Sequence, residues 1–333
     1  MKKLTLQTTS YQHLEKGFSE WLDILGYNSM SVYNVPILIR EFLYFLEQQE
    51  CTHITQLTQK HYQDYYHYIS TRANQRRGGG LSNNYLNKQI QALEKFYEYM
   101  IHKGVQGVPA VALKHLKLEN KEITVLTQSE VKELYQVTEK NTNTLYYQAL
   151  GARDRAMLSV FYSCGLRRTE GVHVTINDIN WDRRILHVRK GKNYKERLVP
   201  FSHTSLKYLQ EWVYDYRSIL LKISKSERLF IGKGGKGLSG NSLYKRIKLL
   251  QCSVENIELQ QKEIGLHTLR HSIATHLLQN GMDLQKIQRF LGHSSLESTQ
   301  IYTHLLEKQN EPVILSEVEG YTHLVEKEDG TKL

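Results

Sequence analysis

SNNYLNKQIQALEKFYEYMI, residues 82–101, is the stretch from which the class of this chain follows. Leu86, Ile90, Leu93, Tyr97 and Met100 recur at steps of four and three, which places them on one stripe of an α-helix, with Ser82 or Asn83 as its cap. Two earlier segments, 31–50 with Pro36 near its first turns and 58–74, repeat the helical pattern. Between the second of these and the capped helix, QRRGGGLS (75–82) reads as a flexible glycine loop beside Arg76 and Arg77. Residues 1–112 are therefore expected to form one helical domain. Residues 113–125, at the end of a glycine- and lysine-bearing stretch with weak periodicity, read as a linker. Helical pattern resumes in LTQSEVKELYQV (126–137), where Thr127 and Glu130 form a T-x-x-E capping box. In 185–201, ILHVRKGKNYKERLVPF, two strand-like runs flank GKNYK as a β-hairpin. The expected fold is mainly α with a small β-hairpin or sheet, in two domains. The second spans 126–305, followed by a tail, 306–333, in which Pro312 and the PVILSEVEG pattern favour a short strand over a helix.

Composition narrows the function classes. The 333 residues are 40% hydrophobic and 23% charged, enough to bury ordinary cores in about two domains. No apolar run approaches the roughly 18 residues that span a bilayer, and MKKLTLQTTSYQHLEKG lacks the apolar stretch of a signal peptide, so a cytoplasmic protein with no membrane partner is expected. Cys51, Cys164 and Cys252 are too few and too scattered for a disulfide framework or a zinc site. The net charge of +10 is uneven: +3 over 1–125, +11 over 126–305 and −4 over 306–333. A basic body suits a polyanion, because each lysine or arginine set against a phosphate releases condensed counterions. The acidic tail suits protein better than nucleic acid.

Four stretches of the basic segment bear chemistry-capable residues. GLRRTEG (165–171) sets Arg167 and Glu170 three apart, neighbours on one helical face. GKNYKER (191–197) puts Lys192 on the hairpin turn, with Lys195 and Arg197 behind it. LHTLRH (266–271) sets His267 and Arg270 one helical step apart, and LGHSSLESTQIY (291–302) places Tyr302 nine residues after His293. Each alone has an ordinary reading: a surface ion pair, an exposed basic turn, or a tyrosine that packs its ring. The histidines of HTLRHSIATH lack the H-E-x-x-H spacing of a zinc protease, and His271 reads as a packing or orienting residue. GKGGKGLSGNS (232–242) lacks the ending of a nucleotide phosphate loop and reads as a flexible loop.

Taken in this order, the stretches resemble the tyrosine recombinase (phage integrase) family, whose G-L-R-x-x-E, G-K-x-x-K-x-R, H-x-x-R-H, L-G-H and following Y are each met here. The resemblance implies a helical N-terminal DNA-clamping domain ahead of a catalytic domain, in a two-domain enzyme of Xer or mobile-element kind. It implies Tyr302 as nucleophile and Lys192 as proton donor to the leaving hydroxyl. Arg167, His267, Arg270 and His293 would gather around the phosphate, and Glu170 would hold their side chains. Arg76, Arg77, Lys195 and Arg197 stand as DNA contacts, the last two also as hairpin support. Double-stranded DNA, a homotetramer on two sites and accessory DNA-bending or directionality proteins are the implied partners, with neither metal nor ATP as cofactor. The chemistry fits these residue types. Guanidiniums grip phosphate oxygens bidentately and stay charged, fixed cations stabilise the extra negative charge of a pentavalent transition state, and a phenolate forms an ester close in energy to the bond it replaces. Two other readings are a DNA-binding regulator, with 283–302 as a helix-turn-helix, and an enzyme like a type IB topoisomerase.

Overall fold

The computed structural model describes residues 4–74, 78–118, 123–140, 143–189 and 196–292. The chain divides into two compact units, 1–121 and 122–333. In the first, four helices, α1 (Thr9–Ile24), α2 (Ser29–Gln48), α3 (Gln59–Thr71) and α4 (Asn83–His102), enclose an aromatic core of Phe18, Phe42, Tyr62, Tyr65 and Phe96. Ser82 caps α4 by accepting from the Tyr85 amide, one of the orphan donors that open any helix. The helix α1 is absent from the sequence expectation, although its buried Tyr11, Phe18, Trp21 and Leu22 have helical spacing. Pro36 lies about two turns inside α2, in keeping with its expected place near the first turns. A proline there leaves the carbonyl four residues earlier without its amide partner, and the Ser19 hydroxyl of α1 donates to that Val32 oxygen at 3.2 Å.

The segment expected as a linker is partly a strap on the first unit. Asn87 of α4 donates to the Leu116 carbonyl and accepts from the Leu116 amide, both at 2.8 Å, while Val111, Leu113 and Leu116 pack on the core. Inside the helices, Glu41 is 4% exposed and accepts from Arg72 at 2.6 Å, Gln89 at 3.1 Å and Tyr85 at 3.3 Å.

The second unit is mainly helical around a small sheet. Its helices are α5 (Gln128–Gln136), α6 (Leu145–Leu158), α7 (Arg168–His173), α8 (His203–Gln210), α9 (Arg217–Leu221), α10 (Gly240–Ser253), α11 (Ile257–Gln261), α12 (Leu266–Gln279) and α13 (Leu284–Leu291). Thr127 and Glu130 make the expected capping box on α5. The strands β1 (Ile179–Asn180), β2 (Ile185–Val188) and β3 (Arg197–Pro200) lie in the order β1-β2-β3, all antiparallel, with Val188 opposite Arg197 where β2 and β3 approach the hairpin turn. The short β1 extends the expected hairpin into a three-stranded sheet. Residues 232–242 are not one open loop. Gly232 and Lys236 close a turn by a backbone bond of 2.8 Å, Leu238 donates to Phe230, and Ser239 caps α10. The core joins Leu158, Phe161, Trp212, Leu243, Leu269 and Ile287 from six segments, so α12 and α13 are held against α6 and its continuation.

Glu41→Ala should strand the Arg72 guanidinium and the Gln89 amide in a largely dry site. We expect a loss of about 3–5 kcal/mol, read as a lowered urea midpoint; a shift of under about 0.5 kcal/mol would show that the Glu41 network does not stabilise this unit.

Candidate active site

The described part of the site is built at the meeting of four chain segments: the start of α7, the first strand residue of β3, the first turns of α12, and the end of α13. Arg167 is the N-cap of α7, and Glu170, at its third position, turns back to accept from the Arg167 amide at 2.8 Å. The same carboxylate accepts from Arg167 Nη1 at 2.9 Å and from Arg197 Nη1 and Nη2 at 3.0 and 2.8 Å. Glu170 is 2% exposed. Burial alone would raise its carboxyl, but the hydrogen bonds and charge of Arg197, followed by those from Arg167, outweigh burial and hold it at about 2. The carboxylate therefore stays ionised near neutral pH and fixes two cations.

The last carbonyls of α13 have no intrahelical partner and sit at the negative end of the helix dipole. Each is met by a different arginine. Arg197 Nε donates to the Phe290 oxygen at 3.1 Å, Arg270 Nη2 to that of Leu291 at 2.8 Å, and Arg167 Nη2 to that of Gly292 at 2.7 Å. Gly292 ends the helix in the left-handed region with φ of 66°, and a Cβ there would stand 2.9 Å from Arg197 Cδ. A glycine is required by both conformation and space. Gly165, ahead of Arg167, is constrained in the same way: its φ is 58°, a Cβ would meet Leu291 Cδ2 at 2.8 Å, and its carbonyl accepts from Arg270 Nη1. The two sequence glycines of G-L-R and L-G-H are thus contact points between one arginine-bearing turn and the end of α13.

His267, the second residue of α12, is exposed beside this cluster. Partial desolvation, then the charges of Arg270, Arg168 and Arg167, push its imidazole below the ordinary value, which favours the neutral ring near pH 7. Arg270 is buried, at 3% exposure, and Arg167 keeps a partly open side chain. The structure thus brings Arg167, Glu170, His267 and Arg270 to one corner. Lys192, Lys195, His293, Tyr302, Arg76, Arg77 and the tail 306–333 lie outside the described residues.

Two expectations change. Arg197, which the sequence places among the DNA contacts, turns inward onto Glu170 and the Phe290 carbonyl, with its side chain only 10% exposed. The signal was present in the strand period: alternation puts Arg197 on the buried face with Val199, whereas Leu198 points out. Glu170 holds two arginines, and among the described residues its hydrogen bonds go to no histidine. A buried pair further along α12 was also missed: the Tyr162 hydroxyl and His276 Nδ1 lie 2.8 Å apart. Among the described residues no three His, Cys, Asp or Glu side chains are grouped to hold a metal ion.

Residues 124–309 match the family model described as the phage integrase family. A tyrosine recombinase XerD of Staphylococcus haemolyticus (strain JCSC1435) is 30% identical over 310 residues, covering 93% of this chain and 96% of that protein. A tyrosine recombinase XerD of Staphylococcus epidermidis (strain ATCC 12228) is 36% identical over 231 residues, 69% of this chain and 75% of that one. Among solved structures, the XerH site-specific recombinase bound to its palindromic difH substrate in a post-cleavage complex superposes with a TM-score of 0.67 at 21% identity, covering 91% of this chain and 83% of that one. At that identity the match speaks for the fold.

Burial moves His276 down to about 4, and burial followed by the His267 and Arg270 neighbours does the same to His271. Because the native imidazoles take up protons below the unfolded value near 6.5, their contribution is present above that pH and is lost as pH falls toward 4. Between pH 7.5 and 5 we expect unfolding free energy to drop by about 2 kcal/mol per buried histidine. His276→Gln should flatten this dependence in urea titrations; an unchanged slope would place the titration elsewhere.

Proposed function

This chain belongs to the phage integrase family and is a tyrosine site-specific recombinase, and from that premise we propose that it cleaves and rejoins double-stranded DNA through a 3′-phosphotyrosyl intermediate at Tyr302, exchanging strands between two sites by way of a Holliday junction. The phenolate oxygen of Tyr302 attacks the phosphorus, the bond to the 5′ oxygen breaks, and Lys192 gives that oxygen its proton. His267 and His293 donate to phosphate oxygens, and one of them receives the tyrosine proton. Arg167 and Arg270 stabilise the charge that accumulates in the pentavalent transition state. Because the phosphotyrosyl ester conserves the energy of the bond it replaces, rejoining needs neither ATP nor metal in this scheme.

The observation that carries this reading is the convergence of Arg167 and Arg270 on the Leu291 and Gly292 carbonyls, just before His293 in sequence, with His267 within the field of both cations. Arg167 directs two of the five N–H groups of a guanidinium to Glu170 and Gly292. A phosphate can be met by the others without dismantling the framework. The basic charge of this segment supports DNA as the partner. We further propose a homotetramer on two duplexes acting in the cytoplasm, with the acidic tail docking on a neighbouring subunit and accessory DNA-bending proteins imposing direction. Whether the chain serves a mobile element or resolves replicated DNA would follow from the sequence of its site.

Covalent trapping tests the reaction. Purified protein, incubated with nicked DNA fragments from its own genomic neighbourhood, should yield adducts that survive SDS, and Tyr302→Phe should bind the same DNA but yield none. An adduct of normal yield in that variant would remove Tyr302 from the chemistry. Arg167→Ala should slow adduct formation by about 100-fold or more, and a near-normal rate would mean the phosphate is held by other groups. Trapping should proceed undiminished in EDTA; its loss would bring a metal into the scheme.

A further inference from the structure

We infer that Arg197, outside the set of groups that touch DNA, is a positioning residue: it ties the hairpin strand, the Glu170 carboxylate and the Gly292 turn into one register, and acts on the reaction through Arg167. The inference rests on the functional reading above. Three observations converge on this side chain. Its two Nη groups grip both oxygens of Glu170, the carboxylate that also holds Arg167. Its Nε donates to the Phe290 carbonyl, and its stem fills the space over Gly292 where a Cβ cannot fit. It is also the first residue of β3, paired with Val188 of β2 where the two strands run toward the segment that contains Lys192 in sequence. A single planar group thus sets the spacing between the strand that leads to the proton donor, the cap that holds the phosphate-binding arginine, and the helix end that leads to His293.

A lysine cannot take this place, because one ammonium cannot present the parallel fork to a carboxylate and reach a carbonyl on its other edge. Without Arg197, Glu170 retains Arg167 alone among the described residues, and the Phe290 carbonyl loses the Arg197 Nε–H. Errors of about 1 Å in such supports cost rate rather than binding.

The test uses the full chain, with the DNA fragment that the wild-type protein traps covalently as probe. Arg197→Gln and Arg197→Lys should each bind this DNA within about 3-fold of wild type, with an unchanged salt dependence, and should slow single-turnover adduct formation by about 100-fold. Because Arg197 acts through Glu170, the Glu170→Gln/Arg197→Gln double variant should be no slower than the slower single variant. Should Arg197→Gln fail to fold, as judged by its thermal transition, Arg197→Lys carries the comparison. A weakened affinity with the salt slope reduced by about 1 would make Arg197 a phosphate contact and overturn the inference. So would cleavage within about 3-fold of wild type, or fully additive losses in the double variant. A wild-type protein that traps no fragment would instead overturn the functional reading on which the inference stands.

Discussion

The Glu170 carboxylate is the point on which the second unit's site depends. Moving a carboxylate into a position 2% exposed is costly, and the cost is met only because Arg167 and Arg197 direct N–H groups at both oxygens while the backbone amide of Arg167 adds another. Neither arginine could be held so firmly by an exposed partner, since a surface ion pair contributes at most about 1 kcal/mol. The buried anion therefore converts two long, flexible cations into fixed ones. Preorganisation of this kind lets a cation stabilise a transition state without first paying to be ordered.

The end of α13 supplies the second half of the frame. Helix C-termini ordinarily turn their last carbonyls toward water or toward a following turn. Here three successive carbonyls face Arg197, Arg270 and Arg167, and the negative end of the helix dipole draws those guanidiniums together despite their mutual repulsion. Partial desolvation first, and then the charges of Arg270 and Arg167 with that of Arg168, depress the imidazole of His267. The negative helix end thus gathers the arginines, and the gathered cations, added to desolvation, bias the nearby histidine toward its neutral form, which can accept a proton.

Much of the fold was legible along the chain. The stripe in α4 with its Ser82 cap, the Thr127–Glu130 box and the β2–β3 pairing all depend on neighbours a few residues away. The miss at α1 has a physical cause: Tyr11, Phe18 and Trp21 bury on one face, but lysine, glutamate and glutamine around them dilute the stripe, and the helix is stabilised by packing on α2 and α4. Pro36 is tolerated inside α2 because the carbonyl it leaves without an amide partner is answered from α1 by Ser19.

For the site, the sequence by itself determined the residue types and local spacings: Arg167 three before Glu170, His267 three before Arg270, and a glycine before His293. Capping geometry at the start of α7 and helical spacing in α12 set these pairs from residues a few positions apart. Only the tertiary structure decided which partners those groups take. Arg167 meets a carbonyl 125 residues away, Arg270 one 21 residues away, and Arg197 closes on Glu170 across 27 residues. Local periodicity cannot specify such pairings, because an arginine reads alike in sequence whether it reaches for a phosphate or a buried carboxylate. The difference lies in the packing that puts Arg197 on the inner face of β3 and the end of α13 directly over it.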